Sequence, residues 1–260
     1  MKAVILCGGK GTRIRDASEV LPKPMLPIGG KPMIWHIMKT YAAYGIKDFV
    51  LCLGYKGWLI KEFFLNYRSK ISDISLTLGH HDSIKFHNPI DEGDWKVTLV
   101  ETGDNSQTGA RVWNVKKYLE GEDRFCVTYG DGLADVNIAA LLEEHKRSGL
   151  TGTISAVHPA GRFGEIEVVN GKVEEFNEKP NVGSGYINGG FMVFDNHRVW
   201  DYFRPGSDLI LEVDVLPKIS AAGELGVYEH NGFWMGVDTV REYNEMNKMW
   251  ASNKAKWRVW

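Results

Sequence analysis

Residues 2–13 read KAVILCGGKGTR, and the fold follows from how that stretch divides. Ala3, Val4, Ile5, Leu6 and Cys7 form an unbroken apolar run, the pattern of a strand buried on both faces of a mostly parallel sheet. Gly8, Gly9 and Gly11 end it, and a turn without Cβ atoms lets successive backbone N–H groups approach a polyanion such as a triphosphate. Thr12 adds a hydroxyl and Arg13 a fork of donors that keeps its charge. Further on, Lys23 stands between Pro22 and Pro24, so a second cation is aimed by a stiffened backbone. The stretch lacks the G-K-[ST] ending of a P-loop and the third glycine of G-x-G-x-x-G. Taken singly, its halves also fit a glycine-rich turn and a surface lysine; together they read as a nucleotide-binding apparatus at the edge of a sheet.

GGKGTR followed by LPKP resembles the paired signature of the sugar-1-phosphate nucleotidyltransferases, and the resemblance runs over nearly the whole chain. It implies an α/β fold: a Rossmann-like, mostly parallel mixed sheet flanked by helices, with a small antiparallel sugar-binding portion.

With 260 residues, 43% of them hydrophobic, the chain can bury a large core as one domain. The expected division is a mainly nucleotide-binding portion over 1–150, a mainly sugar-phosphate-binding portion over 151–240, and a C-terminal helix and tail over 241–260. A formal net charge of −2 leaves no basic field for nucleic acid or an anionic membrane, so phosphate must be met locally. Cys7, Cys52 and Cys126 each sit inside an apolar run, and an odd count without C-x-x-C spacing points to reduced, structural thiols. The first apolar run stops at Gly8, short of a signal-peptide core, and no stretch approaches the roughly 18 apolar residues of a spanning helix. A cytoplasmic protein is expected.

Gly29 and Gly30 turn the chain into a helix opened by Pro32, with Met33, Ile34, Ile37, Met38 and Tyr41 at helical spacing up to Gly45. Residues 49–53 read as the next strand and 58–67 as the next helix, which establishes βαβα alternation. His36 fits phosphate binding or, better, a partly buried structural role. Residues 74–78 read as a strand, after which GHHDSIKFHNPIDEGDW breaks the rhythm; His80, His81, Asp82 and His87 do not match zinc spacing, and an interface or lid suits the segment better. The strand at 97–101 opens into TGDNSQTGAR, residues 102–111, a turn suited to wrapping a ligand, with helical spacing resuming at Val112.

The apolar run 125–129 ends in Gly130-Asp131-Gly132. A carboxylate at the carboxyl end of a buried parallel strand is where α/β sheets bind ligands, so Asp131 is a candidate metal ligand, with a plain Asp-Gly turn as the alternative. An amphipathic helix spans 138–148. Residues 154–157, 164–169 and 172–176 read as strands, the last two a hairpin over Asn170 and Gly171, so that antiparallel strands interrupt the parallel sheet. YINGGFMVFD, 186–195, sets Asn188 and two glycines before an apolar strand, allowing close approach of a sugar. Residues 209–219 read as a helix up to an interruption at Pro217. Asp238 precedes a helix carrying Met246 and Trp250, as an N-cap, a metal ligand or both. Trp257 and Trp260 can pack on the body or on a neighbouring subunit.

The later segments resemble the cytidylyl-transferring branch of the family, which implies CTP and glucose 1-phosphate as substrates and Mg²⁺ as cofactor; a homo-oligomer is expected. Carried over by resemblance, the nucleotide is met by Leu6, Cys7, Gly8, Gly9, Gly11, Thr12, Arg13, Lys23, Thr102, Gly109, Arg111, Gly130 and Asp131. Arg13 and Lys23 act in catalysis, and Asp131 and Asp238 hold the metal. The sugar phosphate is met by Gly164 of R-F-G, by Glu178 and Lys179 of E-K-P, and by Asn188. If Arg111 reaches the base edge, it donates to N3 and O2 of cytosine and opposes N3–H of uracil. Cys7 departs from the small alanine usual in the family, and the 102–111 loop differs from thymidylyl and uridylyl relatives, which favours cytidine. A non-catalytic sugar-nucleotide regulator and a dinucleotide oxidoreductase are the rival readings; the presence of Lys23, Asp131 and Asp238 together favours catalysis.

Overall fold

The computed structural model describes residues 1–9, 21–79, 83–159, 165–169, 172–177 and 185–260, the strands at 165–169 and 172–177 by their backbone. In chain order the strands are β1 (Lys2–Leu6), β2 (Pro27–Ile28), β3 (Lys31–Pro32), β4 (Asp48–Leu53), β5 (Ile74–Ser75), β6 (Lys85–Phe86), β7 (Lys96–Glu101) and β8 (Arg124–Tyr129). They continue as β9 (Gly132–Ala134), β10 (Gly152–Val157), β11 (Glu165–Val169), β12 (Lys172–Asn177), β13 (Ile187–Asp195), β14 (Leu225–His230) and β15 (Trp234–Gly236). The helices are α1 (Met33–Ala43), α2 (Gly57–Leu65), α3 (Tyr67–Ile71), α4 (Thr108–Asn114), α5 (Ile138–Ser148), α6 (Leu216–Ala221) and α7 (Val240–Ala251).

The main sheet has the order β14-β10-β13-β8-β1-β4-β7, with β13 antiparallel to both neighbours and the other pairings parallel. β1 is therefore an interior strand, and the edge that carries the glycine turn is the row of carboxyl ends. The unbroken apolar run of β1 has its cause here: Ala3, Ile5 and Cys7 face one apolar layer with α1, α5, α7 and Trp257, while Val4 and Leu6 face another with α4 and α6.

The expected hairpin exists as β11 and β12, with Val169 opposite Lys172, but it forms a sheet of its own. The strand that interrupts the parallel sheet is instead β13. Its central residues are buried on both faces, so its side-chain pattern carries no direction. Pro217 is likewise corrected: a π-turn at Leu211–Val215 precedes it, and it sits in the first turn of α6, where its missing N–H costs nothing. The strand expected at 74–78 shrinks to β5, paired with β6 alone, and Ile74, Leu76 and Leu78 are all exposed. The helix at 58–67 divides into α2 and α3. Pro32 stands at the N-cap of α1 rather than inside it, and Gly45, at φ +83°, follows its end.

The aromatic tail packs on the body. Trp257 is fully buried, donates from Nε1 to His36 Nδ1 at 3.4 Å, and lies against Phe233 and Trp250. No helix among the described residues is long and apolar enough to cross a membrane.

Candidate active site

The chain runs outward from β1 through β4 to β7, then returns to place β8 on the other flank of β1, so the carboxyl ends of β1 and β8 bound a crevice at the switch in strand order. Gly130 N donates to Leu6 O at 3.0 Å and closes the floor. Any side chain at Gly130 would collide there, since a Cβ would lie 2.8 Å from Leu6 O and 2.9 Å from Pro24 Cγ. A cavity of about 190 Å³ opens above, walled by residues 6–9, Lys23, Ser106, Thr108, Arg111, Tyr129 and Asp131. A smaller one of about 90 Å³ lies beside it, between Thr128, Gly189, Phe191, Trp234 and Asp238. Tyr129 and Asp131 wall both cavities.

Asp131 and Asp238, 107 positions apart, are brought together by the short antiparallel pair β9–β15. Gly132 stands opposite Gly236, and Val237 N donates to Asp131 O at 2.8 Å. The N-cap of α7 is Thr239, which forms a capping box with Glu242, and Asp238 N donates to Glu242 Oε2 at 2.8 Å. Capping is thus done by the neighbour, and the Asp238 carboxylate faces the cleft. Lys23 completes the group, its Nζ 2.6 Å from Asp238 Oδ1 and 3.3 Å from Asp131 Oδ2. Burial works to lower the Lys23 pKa, but the Asp131 charge and the hydrogen bond to Asp238 outweigh it and the net direction is upward. Burial pushes the Asp131 carboxyl above the ordinary range, against the pull of Lys23.

The chain that carries this cleft, with a lysine and two carboxylates between its two cavities, is similar to known proteins over its whole length. The nucleotidyl transferase family model matches residues 2–253. This chain belongs to the nucleotidyl transferase family. It is 44% identical over 260 residues, 100% of each chain, to the glucose-1-phosphate cytidylyltransferases of Salmonella typhi and Salmonella typhimurium. Among solved structures, HddC from Yersinia pseudotuberculosis superposes with a TM-score of 0.69 at 24% identity, covering 96% of this chain and 99% of that one, a likeness of fold.

In this nucleotidyl transferase Arg111 lines the larger cavity and is also tied into the protein. It lies on α4 and is buried, with NH1 donating to Leu53 O (2.9 Å) and Thr102 Oγ1 (2.8 Å) and NH2 to Gly8 O (2.9 Å) and, more weakly, Asp104 O (3.4 Å). Four N–H groups are committed to the protein, so the guanidinium ties the glycine turn to the ends of β4 and β7. Gly8 is glycine for this reason, since a Cβ would lie 2.0 Å from Arg111 Cζ. Thr102 is buried behind the cavity, its hydroxyl donating to Leu53 O at 2.6 Å. Gly109 lets α4 approach Leu209 and Leu211, with a Cβ there meeting Leu209 Cγ at 2.9 Å and Leu211 N at 3.0 Å. Of these three expected nucleotide contacts, Arg111 lines the cavity, and Thr102 and Gly109 are packed outside its lining. Ser106, Gln107 and Thr108 line the cavity from the same loop.

Cys7 is buried beneath the turn, its N donating to Cys52 O at 3.0 Å, and burial holds its thiol pKa well above the usual value. Leu6 and Gly9 line the larger cavity. Asn188 accepts from Gly190 N at 2.9 Å and stands beside the smaller one through Gly189. Gly11, Thr12, Arg13, Gly164, Glu178 and Lys179 lie outside the described residues, as do His80, His81 and Asp82. His87 contacts Ser75 at 2.9 Å. His36 is structural: Nε2–H donates to Ile28 O at 2.9 Å, and burial lowers its pKa to about 4.

Sequence reading missed Glu212, on the π-turn, which accepts from Thr108 Oγ1 at 2.6 Å and from the Tyr129 hydroxyl. It thereby links the two cavity walls. A π-turn is a recurrent feature of functional sites, but its wider hydrogen bonding leaves no periodic mark in five residues.

Proposed function

We propose that this nucleotidyl transferase joins CTP and α-D-glucose 1-phosphate to give CDP-glucose and pyrophosphate. The observation that carries the reading is the full-length 44% identity to the Salmonella typhi glucose-1-phosphate cytidylyltransferase. The cleft supports it: a larger cavity for the nucleotide meets a smaller one for the sugar at Asp131.

The sugar phosphate oxygen attacks the α-phosphorus in line. The new P–O bond forms as the bond to the β-phosphate breaks, and no protein nucleophile is required because the attacking group is already an anion. Lys23 leaves its carboxylate partners to stabilise the α-phosphoryl oxygens. Backbone N–H groups of residues 8–12, with Arg13, hold the β- and γ-phosphates; Lys179 places the sugar phosphate, and Glu178, Gly164 and Asn188 meet the sugar. Family members generally use a divalent metal. The donor set fits Mg²⁺, because two carboxylates within reach of one ammonium supply hard oxygen ligands and substrate phosphates supply the rest. Bound at Asp131 and Asp238, Mg²⁺ would supply charge neutralisation at the reacting phosphates.

Initial rates of pyrophosphate release across four nucleoside triphosphates and several hexose 1-phosphates test the reading. CTP with glucose 1-phosphate is expected to give the highest kcat/KM, and a preference for UTP or dTTP refutes it. Asp131→Asn and excess chelator should each abolish turnover; activity that persists in chelator removes the metal from the scheme.

A further inference from the structure

The Lys23 ammonium lies where the two carboxylates converge, and its backbone is fixed there. Pro22 O accepts from Met25 N at 2.8 Å and Lys23 O from Leu26 N at 3.0 Å, Pro24 is buried, and only 11% of the Lys23 side chain is exposed. The carboxylates do not depend on the lysine for their position. Asp131 is held through the β9–β15 pairing and Asp238 through its N–H bond to Glu242 and the Thr239 cap beside it. Two anionic groups are thus placed in advance, and among the described residues Lys23 is the cation between them.

A divalent ion bound to the same oxygens would sit at about 2.1 Å from each. Asp238 Oδ1 already has the ammonium at 2.6 Å, so a divalent ion on that oxygen would compete with the hydrogen bond and meet the repulsion of a like charge. We infer that Lys23 is the resident counter-ion of the Asp131–Asp238 pair and that it and the divalent cation exclude one another there. The cation enters when Lys23 swings out, and the nucleotide's polyphosphate draws it out by offering the ammonium a second anion. Nucleotide and cation therefore bind with positive coupling, each favouring the other to the same degree. The inference rests on Asp131 and Asp238 being the cation's ligands, as proposed above.

The test is Mn²⁺ binding without nucleotide, read from the electron paramagnetic resonance signal of the free hexaaquo ion. Five folded proteins are compared, matched by circular dichroism: the parent, Lys23→Met, Lys23→Arg, Asp131→Asn, and Lys23→Met combined with Asp131→Asn. The parent is expected to bind weakly. Lys23→Met should bind one Mn²⁺ about ten-fold tighter or more, since two charge-assisted hydrogen bonds no longer compete. Lys23→Arg keeps a cation at the pair and should stay weak, and the combined variant should lose the gain, which locates the ion. If Lys23→Met fails to fold, Lys23→Gln takes its place. Equal affinity in the parent and Lys23→Met overturns the exclusion. Tight binding by the parent that Asp131→Asn removes also overturns it, while leaving the metal ligands standing. A gain that survives Asp131→Asn overturns both the exclusion and the ligand assignment.

Discussion

Replacing Arg111 separates two uses of one guanidinium, reading a base or tying a loop. Its four committed N–H groups do not contribute equally. Leu53 O also accepts from Thr102 N at 3.0 Å and Thr102 Oγ1 at 2.6 Å, so it stays satisfied without the arginine, and the Asp104 bond is long at 3.4 Å. Gly8 O, at 2.9 Å from NH2, depends on Arg111 for its hydrogen bond among the described residues. One charge-assisted bond to an otherwise stranded carbonyl is worth about 1.5–3 kcal/mol. Arg111→Lys, whose point charge cannot span the three segments, should therefore lose about 2–3 kcal/mol in urea unfolding, and Arg111→Ala about 3–5 kcal/mol. A loosened turn weakens the hold on phosphate whatever base follows, so kcat/KM for CTP and for UTP should fall together, by about ten-fold for each 1.4 kcal/mol of lost positioning. Purified variants assayed with both nucleotides decide it. Loss confined to CTP, with an unchanged urea midpoint, refutes the loop-tying account and restores Arg111 as a base reader.

Thr239→Ala removes the cap that lies next to Asp238 and should cost about 1 kcal/mol of stability, with a raised Mg²⁺ requirement; thermal melts and a Mg²⁺ titration of turnover measure the two effects. His36 and His145 are both held neutral, burial lowering each from the ordinary 6.5 to about 4. The unfolded chain takes up their protons first as pH falls from 6.5 to 4, so each withdraws up to about 3 kcal/mol of stability across that window. Urea unfolding against pH should show the decline, and assigned His36 and His145 imidazole NMR signals that titrate near 6.5 in the folded protein would refute it.

Local signals carried much of the fold. The double-sided burial of β1, the helical spacing in α1 and the glycines beside Asp131 are properties of adjacent residues, and each survives in the structure. The direction of β13 was not legible, because a strand buried on both faces looks the same pointing either way. Nor was the partnering of Arg111, whose acceptors at Gly8 and Leu53 lie 103 and 58 positions away. Asp238 shows the same limit at short range: an aspartate before a helix suggests a cap, and only the geometry of Thr239 with Glu242 reveals which of two neighbours caps.

Lys23 and Asp238 are separated by 215 positions, and the strands that unite the cleft pair residues from distant parts of the chain. Contacts of such long sequence separation form late, because loop closure must be met before they repay it. During synthesis from the amino end, the glycine turn, Lys23 and Asp131 all emerge before the segment carrying Asp238 exists. A chain halted short of that segment presents Lys23 with only half of its anionic partners, and it also lacks α7 and Trp257, which pack in the layer that receives Ala3, Ile5 and Cys7. The second carboxylate of the cleft and the last part of that core layer therefore arrive together, so the closing of the cleft and the completion of the layer beneath it are one event in folding.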